Sequence, residues 1–185
     1  NKILIEGFYD EIAEPDKEDQ RIISKLTKRF NEQETKNALG VQSFINDAHG
    51  KRAIKKYCYS PTLNIEGIFA GYLGEGWANI IPHRAKCRLY CMLVPNQDVE
   101  ALFGKLRAHL DRHGYKDIRL RMRNDRPDGP WWKTDPKSDL VKAVVQCYKQ
   151  FDTAPELWPL MGGFAPFYLF TSRPLNLPLV SAGLG

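Results

Sequence analysis

A chain of 185 residues with 43% apolar and 26% charged side chains carries enough hydrophobic material for a packed core, which excludes a disordered tail. No apolar run nears the roughly 18 to 20 residues of a membrane-spanning helix and no signal-peptide pattern opens the sequence, so no membrane partner is expected. The formal charge of +5 tolerates an anionic partner without requiring one.

Residues 2–9 (KILIEGFY) read as a short strand, followed by an acidic turn at Asp10 and Glu11. Residues 18–30 place Ile22, Ile23, Leu26 and Phe30 at helical spacing, with Asp16 as the N-cap. A second short helix over 32–39 stops at Gly40. From 41 to 59 the periodicity fades, and Lys51, Arg52, Lys55 and Lys56 read as an exposed, solvated basic segment.

Residues 62–72 alternate through Leu63, Ile65, Ile68 and Phe69, and a slip at Gly67 predicts a bulged strand. Gly71, Gly74 and Gly76 form a turn; their order is not that of a phosphate-binding loop. Residues 79–94 read as the next strand, entered at Pro82. Ala85, Cys87, Leu89, Cys91 and Leu93 share one face of it, and Lys86, Arg88, Tyr90 and Met92 the other. Pro95 stops the strand, and Asn96 is the expected cap of a helix carrying Val99, Leu102, Phe103, Leu106 and Leu110, with Gly114 at its left-handed end. Residues 117–123 (DIRLRMR) alternate as a further strand. Strand, strand, helix, strand is most of a ferredoxin-like α+β sandwich.

The texture of 124–136 changes to Pro, Gly and Asp, as in a linker. Ser138 caps a helix bearing Leu140, Val141, Val144, Val145, Tyr148 and Phe151. A short strand over 156–160, an apolar helix from near Pro166 and a buried strand over 177–180 then predict an α/β layer. The chain opens without a methionine and stops in an apolar strand running into a glycine loop. Chain ends usually lie in polar surface segments, so part of something larger is expected.

Chemical signals are sparse. Cys58, Cys87, Cys91 and Cys147 form no CxxC pair. Cys87 and Cys91, four apart on one strand face, would stand about 13 Å from each other, too far for a disulfide. Reduced thiols of a cytoplasmic protein are expected. His109 and His113 have the i, i+4 spacing of a zinc pair, but no Glu makes an HExxH motif, and a last helical turn suits solvated histidines. His49 and His83 stand alone. The arginine row of 117–123, near Trp131 and Trp132, lacks the strand aromatics an RNA-binding sheet needs, which counts against nucleic acid. Gly162 and Gly163 ahead of a helix could offer backbone donors to an anion, although a tight packing turn explains them as well.

The run PTLNIEGI from Pro61, the Gly71 to Gly76 turn, Ile80-Ile81-Pro82, Ala85 and Leu93-Val94-Pro95 with Gln97 resemble the metal-dependent exopeptidase and deacylase family that includes carnosinase, acetylornithine deacetylase, succinyl-diaminopimelate desuccinylase and carboxypeptidase G. Gly7-Phe8-Tyr9-Asp10, Gly162-Gly163 with Pro166, and the final VSAGLG extend the resemblance, with 14–59 poorly matched. It implies an incomplete α+β ferredoxin-like lid and dimerisation domain over 1–126, with a helical insertion at about 14–59, followed over 127–185 by part of an α/β zinc-exopeptidase-like catalytic domain. It also implies a homodimer formed through the lid, dependence on the remainder of its own polypeptide, and two zinc-type ions (zinc, manganese or cobalt) whose ligands lie outside this chain. The expected substrate is a small peptide or N-acyl amino acid, the bond cleaved a peptide or N-acyl amide, and the chain alone inactive. A non-catalytic dimerising or binding module is the alternative. Carried residue by residue, the substrate-facing positions are Asn79, Met92, Gly162, Gly163 and Phe164. Met92 stands where the family usually has an arginine that clamps a carboxylate, Asn79 replaces a frequent Thr, and Phe164 departs from an Arg-Glu-Gly-Gly-Ser pattern.

Overall fold

A computed structural model describes residues 2–123, 131–152, 154–163 and 165–183. The elements run α1 (Lys17–Arg29), α2 (Glu32–Leu39), a 3-10 turn (Ile45–Asp47), α3 (Gly50–Tyr59), β1 (Thr62–Ala70), β2 (Ala85–Met92), α4 (Val99–Arg112), α5 (Asp139–Gln150) and α6 (Tyr168–Thr171). No helix among the described residues is long and apolar enough to cross a membrane.

α1 starts where its cap was expected. The Asp16 carboxylate accepts from the amides of Glu18 and Asp19, both at 2.8 Å, and Asp19 returns an acceptor to the Asp16 amide at 3.2 Å. That reciprocal pair satisfies amides a helix start otherwise leaves open. Ile22, Ile23 and Leu26 then fall on one face and pack against Ile54, Cys58 and Tyr59 of α3, with Phe30, Leu157 and Leu160 around them. α2 is capped by Asn31 and ends at Gly40 with φ of 66°, the left-handed conformation glycine adopts at little cost.

The segment expected to be an exposed basic stretch contains α3, whose Ile54, Cys58 and Tyr59 are buried. Lys51, Arg52 and Lys55 are exposed on its outer face, so the solvated reading holds for them, while Lys56 is half-buried. The helix start is capped from a distance: Glu32 accepts from the Gly50 amide at 3.1 Å and contacts His49 Nδ1 at 2.7 Å. No local capping signal existed to be read.

β1 and β2 pair antiparallel, with Ile65 opposite Leu89 and Gly67 opposite Arg88, so Glu66 is the extra residue of a bulge. The bulge keeps Ile65 and Ile68 on the same face despite their odd spacing. β2 is shorter than expected, because 79–84 form no ladder. The helix after it is capped by Asp98, not Asn96; Asn96 has φ of 73° in the preceding turn, while Asp98 accepts from Ala101 N at 2.7 Å. Gly114 does take the left-handed conformation, at φ of 86°.

Four expected strands do not form among the described residues. The 2–9 run breaks at Gly7 (φ 75°) and folds into turns that bury Ile5 and Phe8 against Leu102. The buried Gln97 secures this turn, donating to Phe8 O at 2.8 Å and accepting from Val94 N at 3.2 Å. In 117–123 the carbonyl of Ile118, like that of Tyr115, is taken by the Arg107 guanidinium (2.5 and 2.8 Å), which ties the start of the segment to α4 rather than to a ladder. In 156–160, Leu157 and Leu160 turn into the α1–α3 core. In 177–180 the Thr134 hydroxyl exchanges hydrogen bonds with Leu179 O and N, at 2.7 and 3.1 Å. The fold is therefore an α+β arrangement with a two-stranded sheet and two hydrophobic clusters.

Candidate functional site

The glycine loop is built against α3. Tyr57 stacks edge-on against Trp158 with ring centroids 5.5 Å apart, and the Cys58 thiol reaches Leu160 O at 3.6 Å. A Cβ placed on Gly162 would lie 2.3 Å from the Tyr57 ring, so a side chain here requires that exposed ring to swing away. Gly163 has nothing nearer than Met161 at 3.9 Å and is open. α6 has four residues and begins at Tyr168, too short for its start to act as an anion-binding terminus. Packing thus accounts for Gly162. Phe164 lies outside the described residues. Burial pushes the Cys58 thiol up to about 12, which makes it a packing group and not a nucleophile.

Met92 closes β2, half-buried, opposite Thr62 of β1. Asn79 is exposed in the irregular stretch between the strands. Neither residue, nor Gly162 or Gly163, lines either of two cavities, of about 390 and 670 Å³. The larger cavity lies between α1 and the segment after α5, where Arg21, Lys25, Arg29 and Lys149 meet Asp152 and Glu156. Its mixed charge makes no anion site.

A polar tie beneath the loop escaped the sequence. Asp19, 1% exposed, accepts from the Tyr59 hydroxyl at 2.5 Å and from Lys133, which also reaches Asp16 at 3.2 Å. Burial, and then the hydrogen bond and negative charge of Asp19, push the Tyr59 phenol up. Burial pulls the Lys133 ammonium down, but bonds to Asp19 and Asp16 outweigh it and leave it raised. The tie fastens α1 and α3 to the segment beginning at Trp131. A signal was present only in the Asp16–Asp19 capping pair; the partners lie far along the chain.

A second cluster joins His109 and His113 to Glu6. His109 Nδ1 lies 2.5 Å from Glu6 Oε2, His113 Nε2 lies 3.7 Å from Oε1, and Arg112 lies 2.9 Å from Oε1. The His109 hydrogen bond, with help from the Arg112 charge, holds the Glu6 carboxyl down at about 2. His49, expected to be isolated, sits between Glu32 and Asp47.

Comparison with known proteins places this geometry. The profile of the peptidase dimerisation domain M20_dimer matches residues 14–118, a span that includes the stretch expected to be an insertion. The Cys-Gly metallodipeptidase DUG1 of Candida albicans is 26% identical over 191 residues, which cover 100% of this chain and 38% of that protein. The M20 family metallo-carboxypeptidase of Sulfolobus solfataricus superimposes with a TM-score of 0.71 at 31% identity, over 93% of this chain and 38% of its own. Human carnosine dipeptidase 1 shares the fold at a TM-score of 0.75 and 20% identity, over 94% and 37%. The chain thus spans less than two fifths of the length of each.

Proposed function

The chain belongs to the M20 peptidase dimerisation-domain family, and from that premise we propose that it serves as the dimerisation lid and substrate-binding loop of a metal-dependent hydrolase cleaving a peptide or N-acyl amide bond. The observation that carries this is alignment of the whole chain with a metallodipeptidase, together with a shared fold over more than nine tenths of its length. On this reading residues 1–126 form the lid and 127–185 return into a catalytic domain. The protein works as a homodimer.

By family correspondence Asn79, Met92, Gly162, Gly163 and Phe164 are assigned to substrate binding. Met92 contributes apolar contact where a guanidinium would grip a carboxylate through two parallel bonds, so substrates are held chiefly by shape and by the backbone at the open Gly163. Among the described residues, three possible ligand atoms converge at Glu6, His109 and His113, too few for two ions. The two zinc-type ions, which would activate water and polarise the scissile carbonyl, are assigned to ligands outside this chain. The four free thiols fit a reducing compartment, the cytoplasm.

The test is to assay the full-length protein with added zinc, manganese or cobalt against dipeptides and N-acyl amino acids, with chelator-treated protein as control. Metal-dependent turnover of either class is expected. Met92→Arg should raise kcat/KM at least tenfold for substrates with a free carboxylate, through lower KM. No turnover from a folded, metal-loaded dimer would overturn the hydrolase reading in favour of a non-catalytic dimerising or binding module.

A further inference from the structure

The cluster at the end of α4 has the donor set of a metal centre. We propose that Glu6, His109 and His113 bind one borderline divalent transition-metal ion, best suited to Zn²⁺, whose preferred ligands include imidazole nitrogen and carboxylate oxygen. The three ligand atoms lie within 4.8 Å of one another. In a tetrahedral site with bonds of about 2.0 to 2.2 Å, ligand atoms stand roughly 3.3 to 3.5 Å apart. His109 Nδ1 lies 2.5 Å from one Glu6 oxygen and His113 Nε2 lies 3.7 Å from the other, so an ion would replace the direct His109–Glu6 contact and side-chain rotation would bring the three ligand atoms to that spacing. The fourth position opens to water, as these side chains are partly exposed.

The ligands are held independently of any ion. The histidines are one helical turn apart, with His113 at the C-cap of α4. Glu6 rides on the turn anchored by Ile5 and Phe8, with Lys105 donating to Gly7 O at 3.0 Å and Gln97 to Phe8 O at 2.8 Å. An ion bound here clips that turn onto α4, so binding and local folding are coupled. The competitor is Arg112, 2.9 Å from Glu6 Oε1, whose half-exposed guanidinium can swing into water. Its positive charge opposes an incoming cation, which gives the site a distinctive sign.

Tag-free, chelator-treated protein titrated with Co²⁺, read by visible d–d absorption, and with Zn²⁺, read by calorimetry, tests this. The wild type is expected to bind one equivalent more than either His113→Ala or Glu6→Gln. Arg112→Ala is expected to bind that equivalent several-fold more tightly. Ions held elsewhere cancel in these comparisons, and the outcome is independent of hydrolytic activity. His113 and Arg112 are exposed, so their variants keep the fold, which circular dichroism checks. Identical stoichiometry and affinity in wild type, His113→Ala and Glu6→Gln would overturn the proposal, as would unchanged or weaker binding in Arg112→Ala.

Discussion

Gly162 and Lys133 are two residues whose replacement the structure constrains. A methyl at Gly162 would meet the Tyr57 ring, an exposed side-chain end that can swing aside, so Gly162→Ala is expected to cost about 1 kcal/mol, the low end for overpacking. Tyr57→Ala in the same chain should recover most of that loss, and a double-mutant cycle by chemical denaturation measures it. A glycine needed only for backbone freedom would show no rescue. Lys133 neutralises an aspartate that is 1% exposed. Lys133→Met strands that charge and is expected to destabilise by about 3 kcal/mol. A loss under 1 kcal/mol in urea unfolding would show that the tie contributes little.

Among the elements, α2 and α3 are coupled through one carboxylate. Glu32 binds Lys36, His49 and the Gly50 amide, and the Lys36 bond first, then His49, brings its carboxyl down from 4.5 to about 2. Because the folded value lies below the unfolded one, the stabilisation is present above about pH 4.5 and is lost as pH falls towards 2. Wild-type Tm should therefore drop over that window. Glu32→Gln should flatten part of the drop, and high salt should shrink the difference, since the group is exposed. An identical acid profile in Glu32→Gln would remove Glu32 as the cause. This shared cap is also why α3 was illegible. A helix start is read from the residues beside it, and here the acceptor lies on another helix, while four basic residues dilute the apolar stripe. α1 and α2 carry their caps locally, and both were legible to within a residue.

The described residues form two hydrophobic clusters and a sheet face that one of them covers only at its Leu63 end. Ile65, Ile68 and Leu89 are 63%, 68% and 40% exposed on one face of the β1–β2 pair, joined by Cys87. Contiguous apolar surface on a two-stranded sheet marks an interaction site. We propose this face as the surface buried in the homodimer, where each isoleucine would contribute about 1.5 to 3 kcal/mol if fully buried. Ile68→Asp is expected to shift the protein from dimer to monomer in sedimentation equilibrium. A dimer of unchanged affinity would exclude this face from the interface.

What the sequence determined by itself was whatever depends on neighbours along the chain. The Asp16, Asn31 and Ser138 caps, the bulge between Ile65 and Gly67 and the left-handed Gly40 and Gly114 are set within a few residues by backbone sterics and local hydrogen bonds. The ordered motifs between Pro61 and Gln97 were sufficient to place the chain in its family. Tertiary structure alone decided which extended runs found a partner, because a strand needs a second strand to satisfy its amides. Residues 117–123 alternate like a strand, yet the Ile118 carbonyl went to Arg107. It also decided that Glu6 would meet two histidines on α4, and that Tyr57 would stand over Gly162. Such contacts join residues about a hundred positions apart, and their energy has no counterpart in local spacing.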